Sequence, residues 1–289
     1  MRYKQWSLAP SCPQGQLALL EAGVPPLLAQ ILSARGVESA QQARALLSSQ
    51  SAPLHDPLLL RDMDRAVERV RRALEQDEGM AVYGDYDVDG ITSTCLLTDF
   101  LSSLGGRVLP YIPDRLEEGY GLNQEAVETL ARQGVSLIIT VDCGITAVEE
   151  VARAAELGID VIITDHHECK QDLPQAWAVV DPHRPDCPYP FKGLAGVGVA
   201  LKLAMAVAGT DREEEIFSRF ADLAAIGTVA DVMPMTEENR TIVQRGLAAL
   251  AHPQRLGLAQ LMEEAGLGER PVTSVSIGYT LAPRINAAG

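Results

Sequence analysis

The stretch Gly84-Asp85-Tyr86-Asp87-Val88-Asp89-Gly90 directly follows the apolar run Met80-Ala81-Val82-Tyr83 and sets three carboxylates on alternate positions. If the run is a β-strand, Asp85, Asp87 and Asp89 leave its C-terminal end, where ligands bind in an open parallel sheet. Three anions this close repel one another and raise each other's pKa unless cations sit among them. A metal cluster is the simplest account of the spacing. An acidic calcium-type loop or a solvated turn is the alternative that this segment alone leaves open.

Two further runs repeat the pattern. Val135-Ser136-Leu137-Ile138-Ile139-Thr140-Val141 leads into Asp142-Cys143-Gly144, and Ile159-Asp160-Val161-Ile162-Ile163-Thr164 leads into Asp165-His166-His167-Glu168. Each is short, β-branched and mostly apolar, as a strand buried on both faces should be. Three strands thus bring Asp87 and Asp89, then Asp142, then His166 and His167 to one edge of a single sheet. Carboxylates mixed with imidazole suit Mn²⁺ or Mg²⁺ better than structural zinc, and a bridging carboxylate with ligands on both sides suggests two ions. Ala221 to Ala230 has a helical pattern and ends at Asp231-Val232-Met233-Pro234, where Pro234 acts as a stop. Alone, Asp231 reads as a capping or surface aspartate; with the others it is the sixth ligand.

Outside these runs the chain alternates helix and strand: helices at 64–76, 91–104, 123–133 and 145–157, strands at 107–112, 135–141 and 159–163. That alternation predicts an α/β fold with a doubly wound parallel sheet. Residues 16–48 read as helical with one break at Gly36-Val37-Glu38-Ser39, Ser39 serving as an N-cap, and Ser51 to Pro57 reads as a linker. Beyond about 194 helices take over. The expected division is an N-terminal helical segment and linker over 1–62, the catalytic α/β domain over 63–235, and a helical connector over 236–289.

At 289 residues with 47% hydrophobic and 4% aromatic content, packing rests on Leu, Val, Ile and Ala. No run approaches a membrane span, and Met1-Arg2-Tyr3-Lys4-Gln5-Trp6 lacks the apolar core of a signal peptide, so a soluble, cytoplasmic protein with no membrane partner is expected. Five scattered cysteines, Cys12, Cys95, Cys143, Cys169 and Cys187, argue for reduced thiols. Cys143 reads as a small packing residue, since no base motif accompanies it. A formal net charge of −15 is awkward for a polyanion binder, although bound cations offset acidic ligands and local basic patches can persist. Basic residues that could serve such a patch are Arg107, Arg115, Arg184, Lys192, Lys202 and Arg284. The glycine-rich Gly193-Leu194-Ala195-Gly196-Val197-Gly198 follows no strand, so it reads as a helix N-terminus approached by a phosphate or by neighbouring backbone, or as tight helix packing. The loop Pro113 to Leu122 is either substrate-facing or a plain connector.

Several ordered blocks carry a family resemblance: Gly84 to Ser93, Val141 to Ile145, Asp165 to Glu168, Val180-Asp181-Pro182-His183-Arg184, Gly193 to Gly198, Ala230 to Pro234 and Pro283-Arg284-Ile285-Asn286-Ala287-Ala288-Gly289. In this order they resemble the N-terminal part of the RecJ single-stranded-DNA-specific 5′→3′ exonucleases of the DHH phosphoesterase superfamily. The resemblance implies a five-stranded type of parallel α/β domain holding two Mn²⁺ or Mg²⁺ ions. It makes Asp87 and Asp89 ligands of different ions, Asp142 the bridge, His166 a ligand and Asp231 a ligand of the ion opposite. By the same carry-over Asp85 supports a ligand or a metal-bound water, Asp165 fixes its neighbour's imidazole, and His167 meets the scissile phosphate or the leaving group. Arg284 and Asn286 would meet nucleic-acid phosphates, with Arg115 and Lys192 as further candidate contacts.

The resemblance also implies recombination and repair of single-stranded DNA, with a single-strand-binding protein or a RecQ-type helicase as partners. Relatives continue into a DHHA1 domain and an OB-fold, neither of which follows Gly289, so metal binding without processive digestion is expected. The implied chemistry is two-metal phosphodiester hydrolysis with in-line departure and ions about 3.5–4 Å apart. Two other readings stand beside it. One is a small-molecule phosphoesterase of the same superfamily acting on cyclic dinucleotides, very short oligonucleotides or pyrophosphate, relatives that tend to carry a histidine where this chain has Tyr83. The other is a non-catalytic DNA-binding scaffold.

Overall fold

In the computed structural model, residues 13–47, 52–115, 118–119, 121–268 and 270–288 are described, and the chain divides into two compact units at Ala52/Pro53. Of the sequence features above, Met1 to Trp6, Cys12, Ser51, Leu116, Glu117, Tyr120 and Gly289 lie outside the described residues. The division falls inside the expected linker, and residues 236–289 group with the sheet-bearing unit.

The first unit holds α1 (Pro13–Glu21), α2 (Pro26–Ala34) and α3 (Ala40–Leu47) around Leu19, Ala29, Leu32 and Ala43. The expected break is present: Gly36 has φ +80°, and Ser39 Oγ accepts from the Gln42 N–H at 3.2 Å. A second break, not expected from sequence, separates α1 from α2. Gly23 takes φ +82°, the Val24 N–H turns back to the Leu19 carbonyl, and Pro25-Pro26 can only open a new helix.

In the second unit the sheet contains β1 (Gly79–Gly84), β2 (Arg107–Tyr111), β3 (Val135–Val141), β4 (Asp160–Thr164) and β5 (Ala178–Val180), in the order β2-β1-β3-β4-β5, every pair parallel. The sequence reading did not single out the three-residue β5. Pro110, which cannot donate to a ladder, is accommodated because β2 is an edge.

Alternation along the strands feeds two cores. Met80, Val82, Leu137, Ile139, Ile162 and Val180 face a layer formed by α4 (Met63–Glu75), α5 (Val88–Ser103), α8 (Gly196–Ala208) and α9 (Glu213–Ala230). Ala81, Tyr83, Ile138, Val161, Ile163 and Val179 face α6 (Gln124–Arg132) and α7 (Val148–Glu156). Helices on both faces make the sheet doubly wound, as the alternation predicts. The chain reverses direction across the sheet between β1 and β3, so a crevice opens beyond their carboxyl ends.

Two helix starts differ from expectation, both because of site residues. α5 begins at Val88 rather than 91, since the Asp87 carboxylate caps it by accepting the Gly90 N–H at 3.0 Å. α7 begins at Val148 rather than 145, because Ile145 gives its N–H to Asp165 at 2.9 Å and Gly144 takes φ +109°. After β5 the described chain is helical: α8, α9, α10 (Glu237–Leu250), α11 (Leu256–Glu264), and a last stretch whose π-helical turn Ile277–Leu281 runs into Ala282–Asn286. Among the described residues no helix is long and apolar enough to cross a membrane. Cys95, Cys143, Cys169 and Cys187 are free thiols.

A buried ion pair fixes the α8–α10 junction. Lys202 Nζ, fully buried, meets Glu238 Oε1 and the His55 carbonyl, both at 2.6 Å, while the Tyr189 hydroxyl donates to Glu238 Oε2 at 2.6 Å. Lys202 is therefore a structural residue, unavailable to a nucleic acid. Removing one partner leaves the other charge buried and alone, so Glu238→Ala should cost about 3–5 kcal/mol in urea unfolding, whereas Lys202→Met with Glu238→Leu should cost far less.

Candidate metal centre

The crevice between β1 and β3 collects the strand-end acids. Asp85 follows β1 directly, Asp87 caps α5, and Asp89 lies in the first turn of α5. Asp142 follows β3 with φ +60°, the left-handed region that is uncommon for residues other than glycine, and its N–H donates to the Thr164 carbonyl at 3.0 Å. His166 and His167 follow β4, and Asp231 terminates α9.

These side chains converge. Ligand atoms of Asp85, Asp87 and Asp142 lie within 4.8 Å of one another, as do those of Asp89, His166 and Asp231, and those of Asp142, His166 and His167. His166 Nε2 stands 3.0 Å from Asp142 Oδ1, 3.7 Å from Asp231 Oδ2 and 3.8 Å from Asp89 Oδ2. Asp142 thus joins a group on the β1 side to a group on the α9 side, the position a shared carboxylate would take.

Asp89 is held in a way the sequence did not disclose. Both its oxygens accept backbone hydrogen bonds from the start of α8, Oδ2 from the Gly196 N–H at 2.7 Å and Oδ1 from the Val197 N–H at 2.9 Å. The glycine-rich run is a helix N-terminus, as expected, and the group that its first amides receive is the Asp89 carboxylate. The helix dipole and two amide donors stabilise a carboxylate. Glycine is required for this fit: a Cβ on Gly196 would stand 2.5 Å from Asp142 Oδ1, and one on Gly227 would stand 2.6 Å from Asp89 Oδ1.

Without cations the cluster is electrostatically uncomfortable. Burial, then the charges of Asp231 and Asp87, push Asp89 up to about 7. Burial, then Asp89 and Asp87, push Asp142 well above the carboxylate range. Burial and Asp87 raise Asp85 and Asp231 to about 6 each. Burial, with His167 beside it, drives His166 down to about 4, leaving a neutral imidazole whose nitrogen can ligate. Asp85 Oδ1 and Asp142 Oδ1 are buried without a hydrogen-bond partner. Carboxyl oxygens that burial and repulsion keep from ionising freely, set opposite a neutral imidazole nitrogen, form an oxygen-rich donor set that fits Mn²⁺ or Mg²⁺.

Asp165 works on His167 rather than on His166. Its Oδ1 receives His167 Nδ1 at 2.7 Å and the His166 N–H at 2.7 Å. The hydrogen bond to Asp165 outweighs burial and raises His167 to about 9, so its half-exposed ring is cationic near neutrality.

The expected nucleic-acid contacts divide. Arg115 is exposed with its guanidinium 5.1 Å over the Tyr86 ring, between Asp85 and Asp87 in sequence. Arg284 and Asn286 are exposed on the last helix, where one Arg284 nitrogen donates to the Thr280 carbonyl at 2.7 Å; Ala282, Ile285 and the preceding Leu281 share a core with Val88. Lys192 instead donates to the Cys187 carbonyl at 2.8 Å. Arg184 is buried against Asp62, Asp186 and the Val179 carbonyl, and Arg107 opens β2 at the opposite end of the sheet. These three are tied up by local carbonyls and carboxylates or are remote from the crevice. Tyr83 lies in the α6–α7 core with its hydroxyl on the Gly121 carbonyl at 2.9 Å.

A strand-end Asp/His centre in a 2-1-3-4-5 parallel sheet defines a class of metal-site α/β domains, and the chain belongs to one such family: the model of the DHH family, N-terminal domain, matches residues 79–228. Among individual proteins, the single-stranded-DNA-specific exonuclease RecJ of Bacillus subtilis is 47% identical over 92% of this chain and 33% of its own length. RecJ of Escherichia coli is 38% identical over 95% of this chain and 49% of its own. The crystal structure of RecJ in complex with Mn²⁺ from Thermus thermophilus superposes with a TM-score of 0.75 at 34% identity, covering 96% of this chain and 39% of that one. The chain spans a third to a half of the length of the curated relatives it matches.

Two outcomes follow from the geometry. Gly196→Ala should lower Mn²⁺ affinity by roughly tenfold or more in calorimetry, since the new methyl displaces Asp142. For acids raised on folding, the stability contribution is intact below the unfolded value of about 4 and is lost as pH rises through about 6–7. The metal-free protein should therefore melt lower at pH 8 than at pH 5 as far as this cluster contributes, and Mn²⁺ should raise the midpoint most at pH 8.

Proposed function

We propose that this chain carries the catalytic centre of a divalent-metal-dependent exonuclease that hydrolyses phosphodiester bonds of single-stranded DNA from the 5′ end. The observation that carries the reading is the pair of carboxylate groups, Asp85–Asp87–Asp142 and Asp89–His166–Asp231, joined through Asp142 and His166. The first group would hold one Mn²⁺ or Mg²⁺ ion and the second the other, with Asp142 between them. Bound there, such ions supply charge neutralisation at the phosphoryl oxygens and a water nucleophile at neutral pH.

The side chains supply the rest. Asp165 fixes the His167 ring, which as a cation donates to a phosphoryl or leaving oxygen. Arg115, Arg284 and Asn286 give the otherwise acidic surface its contacts for the strand's phosphates. The 5′→3′ polarity and single-strand preference come with the likeness to RecJ proteins, not from a distance in this chain. A cytoplasmic role in repair and recombination, with a single-strand-binding protein or a RecQ-type helicase as partner, belongs to the same reading, as does a 236–289 connector to further domains.

The test is a Mn²⁺-dependent assay of this chain on a 5′-phosphorylated single strand, a duplex and a dinucleotide. Hydrolysis should favour the long single strand, and Asp142→Ala should reduce it by about a hundredfold or more. Preference for the dinucleotide would move the assignment to the small-molecule phosphoesterases. Full activity of Asp142→Ala would remove the shared carboxylate from the mechanism.

A further inference from the structure

We infer that Asn239 is a positioning residue that sets the geometry of one of the two ion sites by tying together the two loops that hold it; this rests on the metal reading above. Asn239 lies in the first turn of α10 and is fully buried. Its side-chain nitrogen donates to the Gly193 carbonyl and, at 3.1 Å, to the Pro234 carbonyl. Gly193 lies three residues before Gly196, whose N–H, with that of Val197, holds Asp89. Pro234 lies three residues after Asp231. One NH₂ group therefore spans both loops behind the Asp89–His166–Asp231 group.

The chemistry of the side chain matches this task. A primary amide carries two hydrogens on one planar nitrogen, so it can serve two carbonyls at once. Aspartate offers those carbonyls only acceptors, and serine has a single hydrogen. Asn239 Oδ1 is buried without a hydrogen-bond partner, a cost that leucine would avoid if the position needed only packing. The donors are what the position uses. The helix that presents them is itself anchored, because Glu238, one residue earlier, is locked to Lys202 and Tyr189. Asp85, Asp87 and Asp142 hang from β1, α5 and β3 and receive no hydrogen bond from Asn239. The effect of losing the amide should accordingly be one-sided.

Manganese titration of metal-stripped protein, by calorimetry and by electron paramagnetic resonance, reads this directly. Wild type should take up two ions with a spin-coupled signal. Asn239→Ala and the near-isosteric Asn239→Asp should weaken one ion by roughly tenfold or more, as loss of a partner behind a ligand does, while the other keeps its affinity. The coupled signal should then give way to that of isolated Mn²⁺ at sub-saturating metal. Asn239→Ser, with one donor left, should fall between, and it carries the test if the other variants lack a cooperative thermal transition. Two ions bound with wild-type affinity in the variants, or both weakened equally in step with a lowered melting temperature, would overturn the inference while leaving the metal reading intact. Fewer than two ions in wild type would overturn that reading and this inference with it.

Discussion

Mutual repulsion among buried and half-buried carboxylates is the constraint around which the second unit is arranged. Asp85, Asp87, Asp89, Asp142 and Asp231 are gathered at one crevice, and no lysine or arginine forms an ion pair with any of them among the described residues. Protein dipoles offset part of the repulsion: the first amides of α8 for Asp89, and the Gly90 amide for Asp87. The remainder falls to cations. Apart from the His167 imidazolium, the positive charge that balances these acids is supplied by bound ions rather than by lysine or arginine side chains paired with them.

Much of the metal-facing half of the centre was legible in the sequence because Asp85, Asp142 and His166 sit one or two residues beyond the end of an apolar strand run, with Asp87 and Asp89 in the same acidic stretch as Asp85, whereas Asp231 ends a helix. A strand's end is visible wherever such a run stops, and a parallel sheet sends all those ends to one edge. The supporting half was not legible. Asp89 is held by backbone amides more than a hundred residues away, and a backbone N–H has no residue type to read. The Gly193 to Gly198 run did signal a close approach at a helix start, yet not what approached. Asn239 was not singled out, because nothing local marks an amide that serves two distant carbonyls. Lys192, Arg184 and Lys202 misled for the converse reason. A cation's proximity in sequence to site motifs says nothing of the carbonyl or carboxylate that claims it in the fold.

Two backbone positions in the crevice are held away from their easiest conformations. Asp142 at φ +60° and Val232 at φ +58° lie next to or within the ligand set, and a β-branched residue in the left-handed region is a marked outlier. Val232 is 86% exposed, so its side chain gains little from burial. The Met233 N–H returns to the Thr228 carbonyl and closes the turn, so that Asp231 is delivered where α9 stops. The helix end is thus set by the needs of one carboxylate and not by the comfort of its neighbour.

The 107-residue separation between Asp89 and Gly196 bears on when the centre can form during synthesis. At ribosomal speeds of about 5–20 residues per second, the amides that secure this aspartate are made about 5–20 seconds after it. Through that interval the emerging β1 and β3 can pair, but the pocket between them has one wall missing. The carboxylate cluster is therefore completed late in synthesis, since Asp89 has neither of the amides that hold it until α8 is made.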